Sequence, residues 1–154
     1  MSGFKFNTKG AEVKIKRALA IAEFFKQIHR DAAAFLVSKL RNEVLNLPNT
    51  SRPGHPEGNS FIRRISGNLA RSISLRPGLA STTIYVNISI APYAVKVAEY
   101  SEKRFGKNYV DIVVMLYGEY VDKVIREEFL RAVNAANNPE VNYSYENKFV
   151  AAAA

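Results

Sequence analysis

Two histidines are the side chains in this sequence best suited to acid–base chemistry, but their surroundings do not favour catalysis. His55 lies between Gly54 and Pro56, with Glu57 two positions further on. A general base needs a positioned substrate and a partner that orients it, and a segment rich in proline and glycine without a nucleophile motif offers neither. His29 lies 26 positions before His55, and we expect it to be a surface residue or a hydrogen-bonded edge residue. The sequence therefore predicts no catalytic residue and no enzymatic activity.

Several other classes of protein are excluded by composition. The chain contains no cysteine, which rules out disulfides, thiolate nucleophiles and cysteine-type zinc sites. Two histidines are too few for a histidine-rich metal centre unless carboxylates supply the other ligands, so we expect no metal and no cofactor. No apolar run approaches the roughly 20 residues of a membrane span, and residues 1–6 lack the apolar stretch of a secretory signal. We therefore expect no membrane partner and assembly in a cytoplasm.

The chain has a net charge of +8, and its positive charge is concentrated in the first half of the sequence. Residues 1–50 hold nine basic and four acidic side chains, and residues 51–76 hold five arginines and one glutamate. Residues 77–154 hold eight basic and nine acidic side chains. Guanidinium groups bind carboxylates as readily as phosphates, so the arginines of residues 51–76 could contact DNA or form salt bridges with another subunit. The salt bridges are slightly favoured. These candidate residues are Arg52, Arg63, Arg64, Arg71 and Arg76.

Two long amphipathic helices are predicted from apolar residues that recur every three or four positions. The first begins at about Lys9 and ends near Asn46, because Pro48 cannot continue the hydrogen-bond ladder. The second begins at Asp111, a reasonable N-cap, and is ended by residues 137–139. The predicted buried stripes are Ile21, Phe25, Ile28, Ala32, Phe35, Leu36, Leu40, Val44 and Leu47 in the first helix, and Val114, Tyr117, Val121, Ile125 and Phe129 in the second. At about 1.5 Å per residue the first helix spans on the order of 50 Å, more than a small core covers, so a neighbouring subunit is expected to supply further surface.

A β-hairpin is predicted between the two helices. One helical turn at residues 66–71 leads into a first strand at residues 72–75, and a Pro-Gly pair marks a turn at residues 76–81. Strict alternation predicts a second strand from Thr82 to Ile90. Its apolar face is predicted to hold Ile84, Val86, Ile88 and Ile90.

The remaining segments are predicted to be short or extended. Pro92 is predicted to occupy the first position of a short helix, which is followed by a connector at residues 101–108. Residues 48–60 are rich in proline and glycine and predict a long exposed loop. Within the tail at residues 139–154, residues 141–146 alternate apolar and polar side chains, which predicts either an edge strand added to a neighbouring sheet or a disordered tail.

Together these segments predict an α+β fold in three parts. An N-terminal arm at residues 1–9 precedes a single domain at residues 10–138, and a C-terminal tail follows at residues 139–154. In the domain, a small antiparallel sheet, made of the hairpin and edge strands, packs against two long amphipathic helices and carries the long Pro/Gly loop.

Two short motifs flank the predicted hairpin. The first is Ser-Gly-Asn-Leu-Ala-Arg-Ser-Ile at residues 66–73. The second is Tyr-Ala-Val-Lys-Val-Ala-Glu at residues 93–99, with Tyr100 and Ser101 following where a related motif has glycine. The order and spacing of these motifs, over residues 20–137, resemble the gene-product-ten-like neck proteins of lambdoid tailed bacteriophages. Tail-terminator and tail-completion proteins are the alternatives within the same particles.

The resemblance implies a structural subunit of the virion, assembled in the host cytoplasm. Its copies would form a closed ring, sixfold or twelvefold, between the connector or head-closure protein and the tail tube or tail-terminator protein, with genomic DNA passing through the lumen. A basic DNA-binding domain is the alternative from another class, and an enzyme is the weakest.

Four residues in the two motifs have expected roles. Gly67 is expected to adopt a positive φ that directs Leu69 into the core. Tyr93 is expected to be a core or interface aromatic residue. Glu99 is expected either to pair with an arginine of the next subunit or to remain a solvated carboxylate.

Overall fold

Two long helices and a β-hairpin make up the fold. The computed structural model describes residues 8–45, 67–79, 81–138, 140–141 and 143–149. In chain order the elements are α1 (Thr8–Lys39), a π-helical turn (Leu40–Val44), α2 (Asn68–Ser72), β1 (Ile73–Pro77), β2 (Thr82–Val86), α3 (Ala94–Phe105) and α4 (Tyr109–Asn137). The predicted α+β fold, with a small antiparallel sheet against two long helices, is confirmed. The predicted Pro/Gly loop and nearly all of the predicted N-terminal arm lie outside the described residues.

Helices α1 and α4 pack against each other in antiparallel directions. The ring centroids of Phe24 and Phe129 lie 5.9 Å apart near one end of the pair. Those of Phe35 and Tyr117 lie 5.7 Å apart near the other. Residues with helical spacing on each helix, including Ile28, fill the space between them. This buried stripe stabilises the pair through apolar contact, as the periodicity predicts.

The first long helix ends in a wider turn. Leu45 N donates to Leu40 O at 3.0 Å, the five-residue step of a π-helix. The carboxylate of Glu43 accepts hydrogen bonds from Lys39 Nζ at 2.7 Å and from the hydroxyl of Tyr117 on α4. The helical path through Val44 agrees with the predicted end near residue 46.

The turn that enters the hairpin forms as predicted. Gly67 has φ +75°, a left-handed conformation that favours glycine, and Leu69 is buried in the core. Ser72 Oγ donates to Leu69 O at 2.6 Å, which closes the single turn of α2. The two strands are antiparallel, and Ile73 pairs with Val86 at the base of the hairpin. The roles expected of Gly67 and Leu69 are confirmed.

The second strand is shorter than predicted. It ends at Val86, which pairs with the first residue of β1, Ile73. Asn87 N still donates to Ser72 O at 2.8 Å, but Ser72 belongs to α2 and the extended pairing stops there. Asn87 then forms a turn, in which its side chain accepts from Ser89 N at 3.0 Å and its carbonyl accepts from Ile90 N at 3.1 Å. The prediction that Ile88 and Ile90 continue the apolar face of the strand is therefore wrong, and both are exposed.

The boundaries around α3 also differ from prediction. Tyr93 is the N-cap of α3, so Pro92 lies before the helix rather than at its first position. The helix continues to Phe105, so residues 101–105, more than half of the predicted connector, are helical. Gly106, with φ +70°, ends it in a left-handed C-cap.

Asn108, rather than the predicted Asp111, is the N-cap of α4. The side chain of Asn108 accepts from Val110 N at 2.9 Å and from Asp111 N at 3.0 Å. Asp111 lies in the first turn, where its negative charge favours the helix dipole.

The C-terminal segment 143–149 packs on the two long helices. Tyr145 donates a hydrogen bond to Asp31 Oδ2 of α1 at 2.8 Å. Phe149 is 2% exposed, and its ring centroid lies 5.5 Å from that of Phe35. Within the described residues the sheet has two strands, so this segment is not one of the predicted edge strands. Its aromatic side chains complete the core of the helix pair instead.

Candidate assembly interface

The described candidate arginines bind partners within their own segment. The guanidinium of Arg71 donates to Asn68 Oδ1 within α2. That of Arg76 on β1 lies 5.1 Å from the ring centroid of Tyr85 on β2. Both side chains remain exposed, so a DNA or protein contact through them stays a prediction. The other candidates, Arg52, Arg63 and Arg64, lie outside the described residues, as does His55.

The second sequence motif lies at the surface along α3. Tyr93 is 40% exposed at the start of the helix, so its expected place in the core is wrong and only an interface role remains. Glu99 is exposed on the same helix. Its proposed pairing with an arginine of another subunit stays a prediction.

His29 connects α1 to the hairpin. Its Nδ1 atom lies 2.7 Å from Thr82 Oγ1, which confirms the expected hydrogen-bonded edge position. Its Nε2 atom is buried without a hydrogen-bond partner. Among the residues that the structure describes, no group of three or more histidine, aspartate or glutamate side chains is arranged to hold a metal ion.

The hairpin covers only the second half of α1. At the base of the hairpin, Arg41 donates a hydrogen bond to the carbonyl of Ile73. At the end of the strands next to the turn, Thr82 forms a hydrogen bond with His29. Ala33, between these two contacts along α1, is buried. These two contacts involve residues 29 and 41, and the large apolar side chains of Ile15 and Leu19, earlier on the helix, are exposed.

An apolar surface is exposed on this first half of α1. Leu19 is 63% exposed and Ile15 is 59% exposed, and their spacing of four residues places them on one helix face. Phe25 lies about 120° around the helix from Leu19, with the exposed Ala18 and Ala22 between these directions. Phe25 is also exposed, and its ring centroid lies 5.7 Å from that of Phe129 on α4. We call Ile15, Leu19, Phe25 and Phe129 the α1 surface. The predicted burial of Phe25 and Phe129 is wrong, because the neighbouring Phe24 points into the core instead.

A second apolar surface is exposed on the first half of α4. Leu116 and Tyr120, four residues apart, share one helix face, Met115 lies about 100° around the helix from Leu116, and we call these three residues the α4 surface. They are between 37% and 54% exposed, and Val114, on the other side of the helix, is 51% exposed. The predicted burial of Val114 is wrong, because Ile112 and Val113 face the core at this level of the helix. Contiguous exposed apolar side chains on a folded domain typically mark a protein–protein contact.

The two surfaces lie near opposite ends of the helix pair. Phe129 lies on α4 but belongs to the α1 surface, and Leu116 of the α4 surface lies 13 residues before it on the same helix. At about 1.5 Å per residue this separates them by about 20 Å. One chain therefore exposes two distinct apolar surfaces.

Polar side chains of the C-terminal segment and of α4 form a cluster that has a structural role. Glu128 is buried and accepts from Arg131 Nη1 at 2.7 Å. Burial raises the pKa of the Tyr143 phenol, and the negative charge of Glu128 raises it further. The pKa of Tyr145 is raised by burial and by its hydrogen bond to Asp31. These phenols therefore stay protonated. The Tyr145 hydroxyl holds the segment against α1 through Asp31, whereas the Tyr143 hydroxyl is buried without a hydrogen-bond partner among the described residues.

Comparisons of the chain with protein-family models, with curated proteins and with solved structures give no match. Among the described residues, no helix combines the length and the apolar character needed to cross a bilayer.

Sequence periodicity alone did not identify either apolar surface. Ile15 and Leu19 fall outside the predicted stripe, and that excess of apolar residues on one side of α1 was the available signal. Which half of the helix the hairpin covers depends on long-range contacts such as that of His29 with Thr82.

Proposed function

We propose that this chain is a non-enzymatic structural protein whose copies close into a ring at the head–tail junction of a tailed bacteriophage. The observation that carries this proposal is the presence of two separate exposed apolar surfaces on one small domain. A closed ring is built from head-to-tail contacts, in which each subunit uses two different surfaces.

The arrangement of the motif elements supports the same proposal. The resemblance rests on the order long helix, Pro/Gly loop, Ser-Gly motif, hairpin, Tyr-Ala motif and helix, and the described elements follow one another in this order. Gly67 and Leu69 adopt the conformation and burial expected of the first motif. The second motif lies on the exposed surface of α3, where a neighbouring chain can reach Tyr93 and Glu99.

In this proposal the ring joins the connector or head-closure protein to the tail tube or tail-terminator protein, and DNA passes through its lumen. Sixfold and twelvefold rings both satisfy the requirement for closure. A position at the end of the tail, as a tail terminator, uses the same kind of ring. The protein is then a virion component that is assembled in the host cytoplasm.

Native mass measurement of the full chain tests the proposal. We expect one dominant oligomer with a defined subunit number, seen as a closed ring by electron microscopy. A chain that stays monomeric at every concentration, alone and in its particle, contradicts the proposal. Salt-sensitive DNA binding by that monomer would instead support the basic DNA-binding domain as its function.

A further inference from the structure

We infer that the α1 surface of one copy packs against the α4 surface of the next copy. This inference rests on the proposed ring function and specifies which parts of the chain meet. The occupant of each apolar surface is therefore a second copy of the same chain, in a heterologous contact.

The α1 surface is bordered by positive charge. Between residues 12 and 26 the helix carries four basic side chains and two acidic ones. The acidic Glu23 is already close to Lys26, with Nζ and Oε2 3.9 Å apart. Lys14 and Lys16 are exposed beside the apolar side chains. The net charge around this surface is positive.

The α4 surface is bordered by negative charge. The segment from Tyr109 to Asp122 contains no lysine or arginine and three acidic residues. Asp122 is paired with Arg126 at 2.6 Å, which offsets its charge. Asp111 is exposed before the apolar group, and Glu119 is exposed within it, directly before Tyr120. The two apolar surfaces thus have opposite charge around them.

This complementarity selects the pairing of unlike surfaces. If two α1 surfaces met, Lys14 and Lys16 of one copy would lie close to the same lysines of the other copy. If two α4 surfaces met, Asp111 and Glu119 of the two copies would repel each other in the same way. Like-charge juxtaposition disfavours such contacts, whereas unlike surfaces attract each other and bury their apolar side chains. Because the surfaces lie near opposite ends of the helix pair, each contact leaves one surface free at either end of a growing chain of subunits. Addition continues until the ring closes.

Two surface variants test the pairing by complementation. Leu19→Glu places a charge in the α1 surface, and Leu116→Glu places one in the α4 surface. We expect each variant alone to be monomeric by mass photometry, and an equimolar mixture to form dimers through the one intact α1–α4 contact. The control is Leu79→Glu, since Leu79 is 91% exposed in the hairpin turn and belongs to neither surface. It is expected to assemble like the unmodified chain, and circular dichroism of all three variants checks that they fold.

The outcomes separate this inference from the proposed function. If Leu116→Glu still dimerises alone, like surfaces pair and the inference is overturned. If both variants keep the oligomer of the unmodified chain, the ring stands but is built from other surfaces, and the inference is overturned. If the unmodified chain is itself monomeric in solution and in its particle, the proposed function fails and takes the inference with it.

A charge exchange tests the complementarity independently. We expect Lys16→Glu and Glu119→Lys each to weaken assembly, by about fivefold in dissociation constant. The double variant restores opposite charge across the contact and is expected to recover most of that loss. A double variant that assembles no better than the weaker single variant contradicts the charge pairing.

Discussion

Phe149 tests whether the C-terminal segment is part of the folded core. The side chain is 2% exposed, and its ring centroid lies 5.5 Å from that of Phe35 and 6.3 Å from that of Tyr120. Replacing a buried phenylalanine with alanine typically lowers the free energy of unfolding by about 3–5 kcal/mol. The segment can also detach, which limits the loss to its docking free energy, so we expect the lower end, about 3 kcal/mol.

Urea denaturation of Phe149→Ala measures this loss. With a denaturant dependence of about 1–3 kcal/mol per molar for a domain of this size, the unfolding midpoint should fall by on the order of 1–3 M. Val141→Ala is the matched control, because Val141 is 48% exposed just before the segment. It should change the free energy of unfolding by less than about 0.5 kcal/mol. Equal midpoints for the two variants would refute the packing of Phe149 in the core.

Three further predictions concern the turn, the cap and the tail. Gly67→Ala should lower the free energy of unfolding by about 1–2 kcal/mol, because φ is +75° at this position. Gly118→Ala in α4 should instead raise it by about 0.5–1 kcal/mol, because the added methyl group makes only ordinary contact there. Thermal denaturation of the two variants compares these effects. Asn108→Ala removes the N-cap of α4 and should lower the free energy of unfolding by about 1 kcal/mol. Asn137→Ala, at the other end of α4, should lower it by less, and urea denaturation of both variants measures the difference. Because the pKa of Tyr145 is raised above its ordinary value of 10, its contribution is complete below pH 10 and is lost as pH rises above 10. Tyr145→Phe should therefore flatten the fall in the free energy of unfolding above pH 10, and an unchanged slope would contradict this linkage.

The regular elements were predictable because their patterns are local. The three-to-four-residue period of α1 and α4 and the Pro-Gly turn of the hairpin depend on nearby residues alone. The choice between Phe24 and Phe25 as the core residue was not predictable. Two adjacent phenylalanines fit the same period, and the position of α4 decides which one is buried.

Boundaries failed where two local signals competed. Asn108 and Asp111 are both good N-caps, and the left-handed Gly106 that ends α3 leaves Asn108 in place to cap α4. The second strand was overextended because alternation continues to Ile90 although β1 provides no partner beyond Ile73.

The candidate site was only partly predictable for a similar reason. The excess of positive charge is visible in the sequence, but Arg71 and Arg76 turn out to contact neighbours in their own segment. The exposure of the two apolar surfaces depends on how the hairpin and the two long helices pack together, which periodicity does not specify.

Cross-linking between copies tests the central claim most directly, because the chain has no native cysteine. A double variant, Leu19→Cys with Met115→Cys, carries one thiol in each apolar surface. A thiol-specific bifunctional cross-linker with a flexible spacer should give a ladder of covalent oligomers that ends at one largest product, the ring number. The control pair, Leu79→Cys with Met115→Cys, should give little cross-linking. A double variant that remains monomeric on denaturing gels, or that matches the control, would contradict assembly through these two surfaces.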